Sequence, residues 1–262
     1  MRRYPLYIFD LDGTLYRGES VLPYAVETVS TLKSQGSLIR YLTNNSGQTR
    51  QFFLERLLRM GYPAELNEIL STATGAAIHL ESIGAERTFV VGEPGLVQTL
   101  RTEGLSVVNA QPDGTVQPDG GESDSVVVGI CRSFTYELMR GAMQRIRQGQ
   151  PFVATNTDSS YPLEGGTLIP GAGSIVAGIR TCSETEPFVV GKPNPFLVEL
   201  ILVETGVPAS EALVVGDRVD TDLLCGELAG CPTHLVLTGV TEVPPVGQAF
   251  SQDLRGLIED SL

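Results

Sequence analysis

The chain of 262 residues has no tryptophan, two histidines and very little lysine. Of its 18 basic residues, only Lys33 and Lys192 are lysines. The two histidines, His79 and His234, leave little material for a zinc site or a histidine-centred triad. The scarcity of lysine makes each one a candidate for a specific task, although Lys33 lies in a polar segment at a predicted helix end.

Paired cysteines and long apolar runs are also missing. The four cysteines (Cys131, Cys182, Cys225 and Cys231) form no CxxC pair, which is typical of free thiols in a reducing compartment. The apolar run from Pro5 to Phe9 is too short for a signal peptide, and no stretch reaches the roughly 20 apolar residues of a membrane span. We therefore expect a cytoplasmic protein with no membrane partner.

Acidic side chains outnumber basic ones by 31 to 18, so the formal net charge is −13. Nucleic acids and anionic membranes are bound by clustered Lys and Arg, and this balance argues against both as general partners. Because 42% of the residues are hydrophobic and 19% are charged, the chain can bury an ordinary core, which excludes disorder and fibres. The length suggests one large domain or two modest ones.

Short apolar runs alternate with helical patterns at both ends of the chain. The predicted strands are 7–9, 37–42, 188–190, 212–215 and 234–237, and the predicted helices are 24–35, 49–60, 194–205 and 221–228. Buried strands separated by helices indicate an α/β fold with a doubly wound parallel sheet.

The middle of the chain has a more polar sequence, with more turn signals, than either end. A polar stretch carries the turn signature Gln-Pro-Asp-Gly twice, at 111–114 and 117–120. Around it the pattern predicts strands at 88–91, 126–130 and 152–154 and helices at 95–102 and 136–147. We interpret the middle as a smaller α/β domain, residues 75–180, inserted into a discontinuous first domain made of residues 1–74 and 181–262.

Two acidic loops each follow a predicted strand. Asp10 and Asp12 lie in the sequence DLDGTL, and Asp217 and Asp222 lie in GDRVDTD. Residues just past the carboxyl ends of parallel strands face the ligand crevice, so these carboxylates can meet at one site. Together they offer the hard oxygen ligands that Mg²⁺ prefers. Taken alone, the first loop could be solvated surface and the second a helix N-cap.

Two other strand ends carry residues suited to an anion. Thr43-Asn44-Asn45-Ser46 offers a hydroxyl and backbone N–H groups, although a turn with an N-cap would use the same residues. In Gly191-Lys192-Pro193 the proline fixes the backbone and leaves Lys192 as a point charge at the crevice. A solvated surface lysine is the alternative there.

These four loops, in this order, resemble the four motifs of the haloacid dehalogenase superfamily of phosphohydrolases. The matching positions are Asp10/Asp12, Thr43, Lys192 and Asp217/Asp222. The segments TNNS (43–46) and ATNTD (154–158) look like subfamily IIA, which includes the NagD and p-nitrophenyl phosphatase-like enzymes. The resemblance covers nearly the whole chain and implies a Rossmann-like core with a C2-type cap domain inserted between the second and third motifs.

The resemblance further implies an Mg²⁺-dependent phosphatase that hydrolyses small phosphate monoesters through an aspartyl-phosphate. Asp10 would be the nucleophile and Asp12 the general acid and base. The phosphate-binding set would be Asp12, Thr43, the backbone N–H of Asn44, and Lys192. The metal ligands would be Asp10, the backbone carbonyl of Asp12, and Asp217. Asp222 would orient Lys192 or a metal-bound water.

Asp158 is the candidate for substrate choice, because the matching cap segment of the resembling enzymes faces the substrate. An Asx-turn leading into Ser159-Ser160 is the alternative. The expected partner is a small phosphorylated metabolite, and a homo-oligomer is compatible with the sequence. A phosphomutase, or a phospho-Asp signalling or binding protein, could use the same scaffold. Asp12 and the inserted middle argue against a signalling module.

Overall fold

The computed structural model describes residues 3–162 and 168–259, and the chain divides into two compact units. The core unit comprises Met1–Thr43, Gln51–Leu70 and Lys192–Leu262, and the cap unit comprises Asn44–Arg50 and Ser71–Gly191. The cap unit thus takes in a short segment directly after Thr43. The boundaries 74/75 and 180/181 stay a prediction.

The regular elements alternate along the chain as an α/β fold requires. The strands are β1 (Leu6–Asp10), β2 (Tyr16–Arg17), β3 (Ser20–Val21), β4 (Leu38–Thr43), β5 (Ile69–Ser71), β6 (Arg87–Val91), β7 (Ser106–Val107), β8 (Ser125–Val128), β9 (Phe152–Ala154), β10 (Ser160–Pro162), β11 (Leu168–Pro170), β12 (Phe188–Val189), β13 (Ala212–Gly216), β14 (Thr233–Val236) and β15 (Phe250–Ser251). The helices are α1 (Ala25–Ser34), α2 (Arg50–Arg59), α3 (Thr72–Ser82), α4 (Pro94–Thr102), α5 (Tyr136–Arg147), α6 (Ala172–Ser183), α7 (Phe196–Thr205) and α8 (Leu224–Leu228).

The core unit contains a six-stranded sheet in the order β15-β14-β13-β1-β4-β5. The pairs that β1 forms with β13 and β4 are parallel, as are those that β14 forms with β13 and β15. The first four residues of β1, Leu-Tyr-Ile-Phe, are all buried, as expected for a parallel strand covered on both faces. Helix α1 buries Ala25, Val29 and Leu32, which follow helical spacing. The predicted doubly wound core is confirmed.

The cap unit contains a second parallel sheet of five strands in the order β12-β9-β8-β6-β7. Thr135 caps the N-terminus of helix α5, because its hydroxyl accepts a hydrogen bond from the Leu138 N–H at 3.2 Å. Strands β10 and β11 form a separate antiparallel pair. The predicted α/β cap is confirmed, since the middle of the chain forms its own layered sheet. Among the described residues, no helix has both the length and the apolar character that crossing a bilayer requires.

Candidate active site

The predicted core residues lie at the carboxyl end of the core sheet, around β1. From β1 the sheet extends through β4 to one edge and through β13 to the other, and loops that diverge at such a point leave a crevice. Asp10 ends β1 and pairs in register with Leu42, directly before Thr43. Strand β13 ends at Gly216, directly before Asp217. Asp10, Thr43 and Asp217 therefore lie together at the carboxyl end of the sheet.

Lys192 is a buried cation held between two carboxylates. Its Nζ donates to Asp10 Oδ1 at 2.5 Å and to Asp222 Oδ1 at 2.6 Å, and 4% of its side chain is exposed. Burial alone would lower the pKa of Lys192, but the two carboxylates outweigh it and raise the pKa above its ordinary value. Lys192 is therefore a fixed positive charge beside Asp10.

Asp222 is held in place by a tight turn after β13. The turn is a short π-helix over Val219–Leu223. The predicted helix 221–228 therefore starts as a π-helix and continues as the α-helix α8. While Asp222 Oδ1 faces Lys192, its Oδ2 accepts the backbone N–H of Arg218 at 3.1 Å. Both oxygens of Asp222 are thus engaged by neighbours.

Asp217 is fixed by a loop that follows β14. Its Oδ2 accepts the backbone N–H of Val240 at 2.6 Å. The same loop is anchored by Thr238, whose hydroxyl donates to the Gly13 carbonyl at 2.7 Å. Arg17 Nη2 donates to the Thr238 carbonyl at 2.6 Å. This network joins the loop of the first motif to the loop that orients Asp217.

The loop after β14 is a part of the site that the sequence-based prediction missed. It contributes backbone groups, and a backbone N–H leaves no signature in the residue types. The signal that could have found it is position, since the loop follows the predicted strand 234–237 as the other site loops follow theirs. Gly239 is required by close approach, because an added Cβ would lie 1.8 Å from Asp217 Oδ2.

The carboxylates of Asp10, Asp217 and Asp222 form a donor set that fits a divalent cation. Each offers an oxygen within 4.8 Å of the others, and Mg²⁺ prefers such hard oxygen ligands. Burial raises the pKa of Asp10 well above its ordinary value. Burial, and then the neighbouring Asp222, raise the pKa of Asp217 to about 6. When they are ionised, the three carboxylates and Lys192 carry three negative charges and one positive charge, which a divalent cation would balance.

Asp12 lies half-buried in the tight loop after β1. The loop is closed by hydrogen bonds from the Gly13 N–H to the Tyr16 carbonyl at 2.8 Å and from the Leu15 N–H to the Leu11 carbonyl at 2.9 Å. Gly13 has a φ of +93°, which a residue with a Cβ rarely adopts. Burial raises the pKa of Asp12, as suits a carboxyl that carries a proton.

The cap unit brings together the predicted residues Asn44 and Asp158. Asn44 Nδ2 donates to Asp158 Oδ2 at 3.2 Å, although 114 positions separate the two in the sequence. The Asp158 N–H in turn donates to Asn156 Oδ1 at 3.1 Å. An Asx-type turn is therefore present, but Asn156 forms it, and the carboxylate of Asp158 is directed to Asn44.

Comparison with known proteins identifies the family of the chain. Residues 7–106 match the haloacid dehalogenase-like hydrolase family, and residues 189–254 match a second family of HAD-like hydrolases. The chain is 36% identical over 244 residues to the 5'-nucleotidase YutF of Bacillus subtilis, covering 92% of this chain and 90% of that protein. The chain belongs to the haloacid dehalogenase-like hydrolase family.

Solved structures place the chain in the NagD-like branch of this family. The p-nitrophenyl phosphatase of Archaeoglobus fulgidus matches with a TM-score of 0.88 at 32% identity, covering 99% of this chain and 100% of that one. A glycerol phosphate phosphatase of Mycobacterium tuberculosis, solved in complex with magnesium, matches with a TM-score of 0.85 at 32% identity, covering 99% and 78%. The haloacid dehalogenase-like fold and the predicted enzyme class, a phosphoric monoester hydrolase, are confirmed.

Proposed function

We propose that this hydrolase is an Mg²⁺-dependent phosphatase that passes the phosphoryl group of a small metabolite first to Asp10 and then to water. The observation that carries the proposal is the position of Lys192, whose ammonium group contacts Asp10 and Asp222. A carboxylate that attacks a phosphate dianion needs nearby positive charge, because both reactants are negative. Lys192 supplies one such charge without leaving the contact that orients Asp10.

The residues suited to hold the metal are Asp10, the backbone carbonyl of Asp12, and Asp217. The contacts described above use Oδ1 of Asp10 and Oδ2 of Asp217, so each carboxylate retains a second oxygen for a cation. A bound Mg²⁺ would supply positive charge to the phosphoryl oxygens. Asp222 serves in this proposal to orient Lys192, since both of its oxygens are engaged.

In this proposal the reaction has two steps, transfer of the phosphoryl group to Asp10 and its hydrolysis by water. Asp10 attacks phosphorus while the bond from phosphorus to the leaving oxygen breaks, and Asp12 gives its proton to that oxygen. Water then attacks the phosphorus of the aspartyl-phosphate, Asp12 takes the water proton, and inorganic phosphate leaves as Asp10 is restored. Thr43 and the backbone N–H of Asn44 hold phosphoryl oxygens during both steps.

The substrate in this proposal is a small phosphorylated metabolite, with Asp158 contributing to its choice. Relatives of the chain are named for hydrolysis of 5'-nucleotides and glycerol phosphate. Asp158→Ala is expected to change the ranking of phosphorylated metabolites more than it changes hydrolysis of p-nitrophenyl phosphate. A panel of phosphate esters with released phosphate as the readout checks this, and an equal loss on every ester would give Asp158 a role in folding.

Asp10→Asn is expected to reduce hydrolysis of p-nitrophenyl phosphate by several orders of magnitude, because the amide is a poor nucleophile. Asp220→Asn is the matched control, since Asp220 lies in the same acidic loop as Asp217 but is exposed and pairs with Arg218. This control should keep its activity. Near-normal turnover by Asp10→Asn would refute the assignment of the nucleophile.

Removal of divalent cations tests the metal. EDTA should abolish phosphate release and added Mg²⁺ should restore it, because the buried carboxylates lose the charge that balances them. Turnover that continues in EDTA would contradict the proposal. An isomeric phosphate ester in place of inorganic phosphate would identify a phosphomutase, and a phosphorylated protein that persists without turnover would identify a signalling module.

A further inference from the structure

The backbone carbonyl of Asn44 accepts hydrogen bonds from two buried side chains within the cap unit. Thr72 Oγ1 donates to it at 2.9 Å, and Asn156 Nδ2 donates at 2.7 Å. Thr72 is fully buried and Asn156 is 6% exposed. A carbonyl oxygen has two lone pairs, so these two donors satisfy it completely.

Asn156 also contacts the residue at the candidate substrate position. Its Oδ1 accepts the Asp158 N–H at 3.1 Å, while Asp158 Oδ2 accepts the Asn44 side-chain amide at 3.2 Å. The three residues therefore form a closed ring of hydrogen bonds. Both ends of the Asn156 amide are used in this ring, one on the Asn44 backbone and one on the Asp158 backbone.

Two donors on one carbonyl fix the orientation of the planar peptide group to which it belongs. The peptide group that joins Asn44 to Asn45 cannot rotate without breaking both hydrogen bonds. A buried amide or hydroxyl that loses its partner is costly, so the arrangement resists such rotation. The backbone directly after Thr43 is thus held by side chains that come from distant parts of the chain.

We propose that Asn156, assisted by Thr72, is a positioning residue that joins the phosphate-binding segment at Asn44 to the substrate-selecting residue Asp158. The proposal rests on the proposed function, in which Asn44 holds a phosphoryl oxygen and Asp158 contributes to substrate choice. Asn156 acts through the Asn44 carbonyl and the Asp158 N–H. Its effect is to keep both in one geometry before substrate arrives, which lowers the ordering cost of binding.

If Asn156 only satisfied buried polar groups, its loss would lower stability and leave phosphate binding unchanged. Asn109 provides the matched control in the same unit. It is also a buried asparagine. Its Oδ1 accepts the Val90 N–H at 2.8 Å, and its Nδ2 donates to the Val90 and Gln117 carbonyls at 2.9 Å each. Asn156→Leu and Asn109→Leu therefore remove similar buried bonds, and only the first lies in the ring with Asn44 and Asp158.

The experiment compares these two variants with the wild-type protein by KM and kcat for p-nitrophenyl phosphate and by the Kd of inorganic phosphate from calorimetry. Both variants should lower Tm. Asn156→Leu should in addition raise KM and the Kd of phosphate by about tenfold, the equivalent of one lost hydrogen bond. Asn109→Leu should leave both values unchanged.

Thr72 supplies a second pair of variants that keeps the test open if Asn156→Leu does not fold. Thr72→Val has nearly the same shape but cannot donate to the Asn44 carbonyl, whereas Thr72→Ser keeps the hydroxyl. The valine variant should bind phosphate several-fold more weakly than the wild type, and the serine variant should bind it as the wild type does. Equal phosphate binding by the two variants would contradict the positioning role.

Unchanged KM and phosphate Kd in Asn156→Leu, with only Tm lowered, would overturn the inference and leave the proposed function intact. A wild-type protein that releases no phosphate from any ester would instead refute the proposed function. The Kd of inorganic phosphate for the variants would still decide the role of Asn156, since that measurement needs no turnover.

Discussion

At the residue scale, the central feature is the buried ammonium group of Lys192 between Asp10 and Asp222. Taking a lysine and two carboxylates out of water is costly, and the cost is offset only while the charges face one another. The other lysine, Lys33, also pairs with a carboxylate, that of Glu68 at 2.7 Å, but keeps 27% of its side chain exposed. The two lysines of the chain therefore allow a direct comparison between a lysine of the candidate site and one that lies outside it.

Lys192→Met should lower kcat/KM for p-nitrophenyl phosphate by roughly a hundredfold or more, because a charge beside the phosphoryl group is lost. Measured in EDTA, it should also lower the free energy of unfolding by about 3 kcal/mol, since two buried carboxylates lose their partner. Denaturant unfolding and steady-state kinetics check both effects.

Lys33→Met is the control, and it should keep its activity while losing about 1 kcal/mol of stability. If both lysine variants lost activity equally, the specific role of Lys192 would be contradicted.

At the scale of elements, the acidic residues and Lys192 were predictable because each follows a strand with a clear apolar pattern. The parallel strands β1 and β13 then bring Asp10 and Asp217 to one edge. Helices α3 and α6 were not predicted. In α3 the small residues of Thr-Ala-Thr-Gly-Ala-Ala leave no clear apolar stripe. The bond from Asn156 to the Asn44 carbonyl spans 112 positions, and no local pattern encodes such a tertiary contact.

The loop after β14 gives a prediction at this scale. Gly239→Ala should raise the Mg²⁺ concentration for half-maximal activity by about tenfold or more, because the added Cβ displaces Asp217 or its Val240 partner. A Mg²⁺ titration of phosphate release measures this. Gly121→Ala is the control, since an added Cβ there meets nothing within 4 Å, and it should leave the titration unchanged. An unaltered titration for Gly239→Ala would mean that this loop does not orient Asp217.

At the scale of the whole molecule, the net charge of −13 describes the surface and says little about the site. An acidic chain can bind a small phosphate if its carboxylates recruit a cation and its few buried basic groups face the anion.

Stability also depends on buried titratable groups. His234 is 1% exposed, and its Nε2–H donates to Ser251 Oγ at 2.9 Å because that hydroxyl already donates to the Asp253 carbonyl. Its Nδ1 has no partner among the described residues.

Burial lowers the pKa of His234 to about 4, below its ordinary value of 6.5. Between these values the unfolded chain binds the extra proton, so this group lowers stability as the pH falls from 6.5 to 4, by up to about 3 kcal/mol. His234→Gln keeps a donor for Ser251 and does not titrate. The difference in unfolding free energy between wild type and variant should follow this pH course, and a constant difference would show that His234 is not buried in its neutral form.

The most direct test of the proposed aspartyl-phosphate route is to trap the phosphorylated enzyme. The protein is mixed with p-nitrophenyl phosphate and Mg²⁺, quenched in acid during turnover, and digested for peptide mass spectrometry. We predict one added phosphoryl group on the peptide that contains Asp10, released by hydroxylamine and absent from Asp10→Asn. Continued release of inorganic phosphate by Asp10→Asn, or a phosphoryl group on a different residue during turnover, would contradict it.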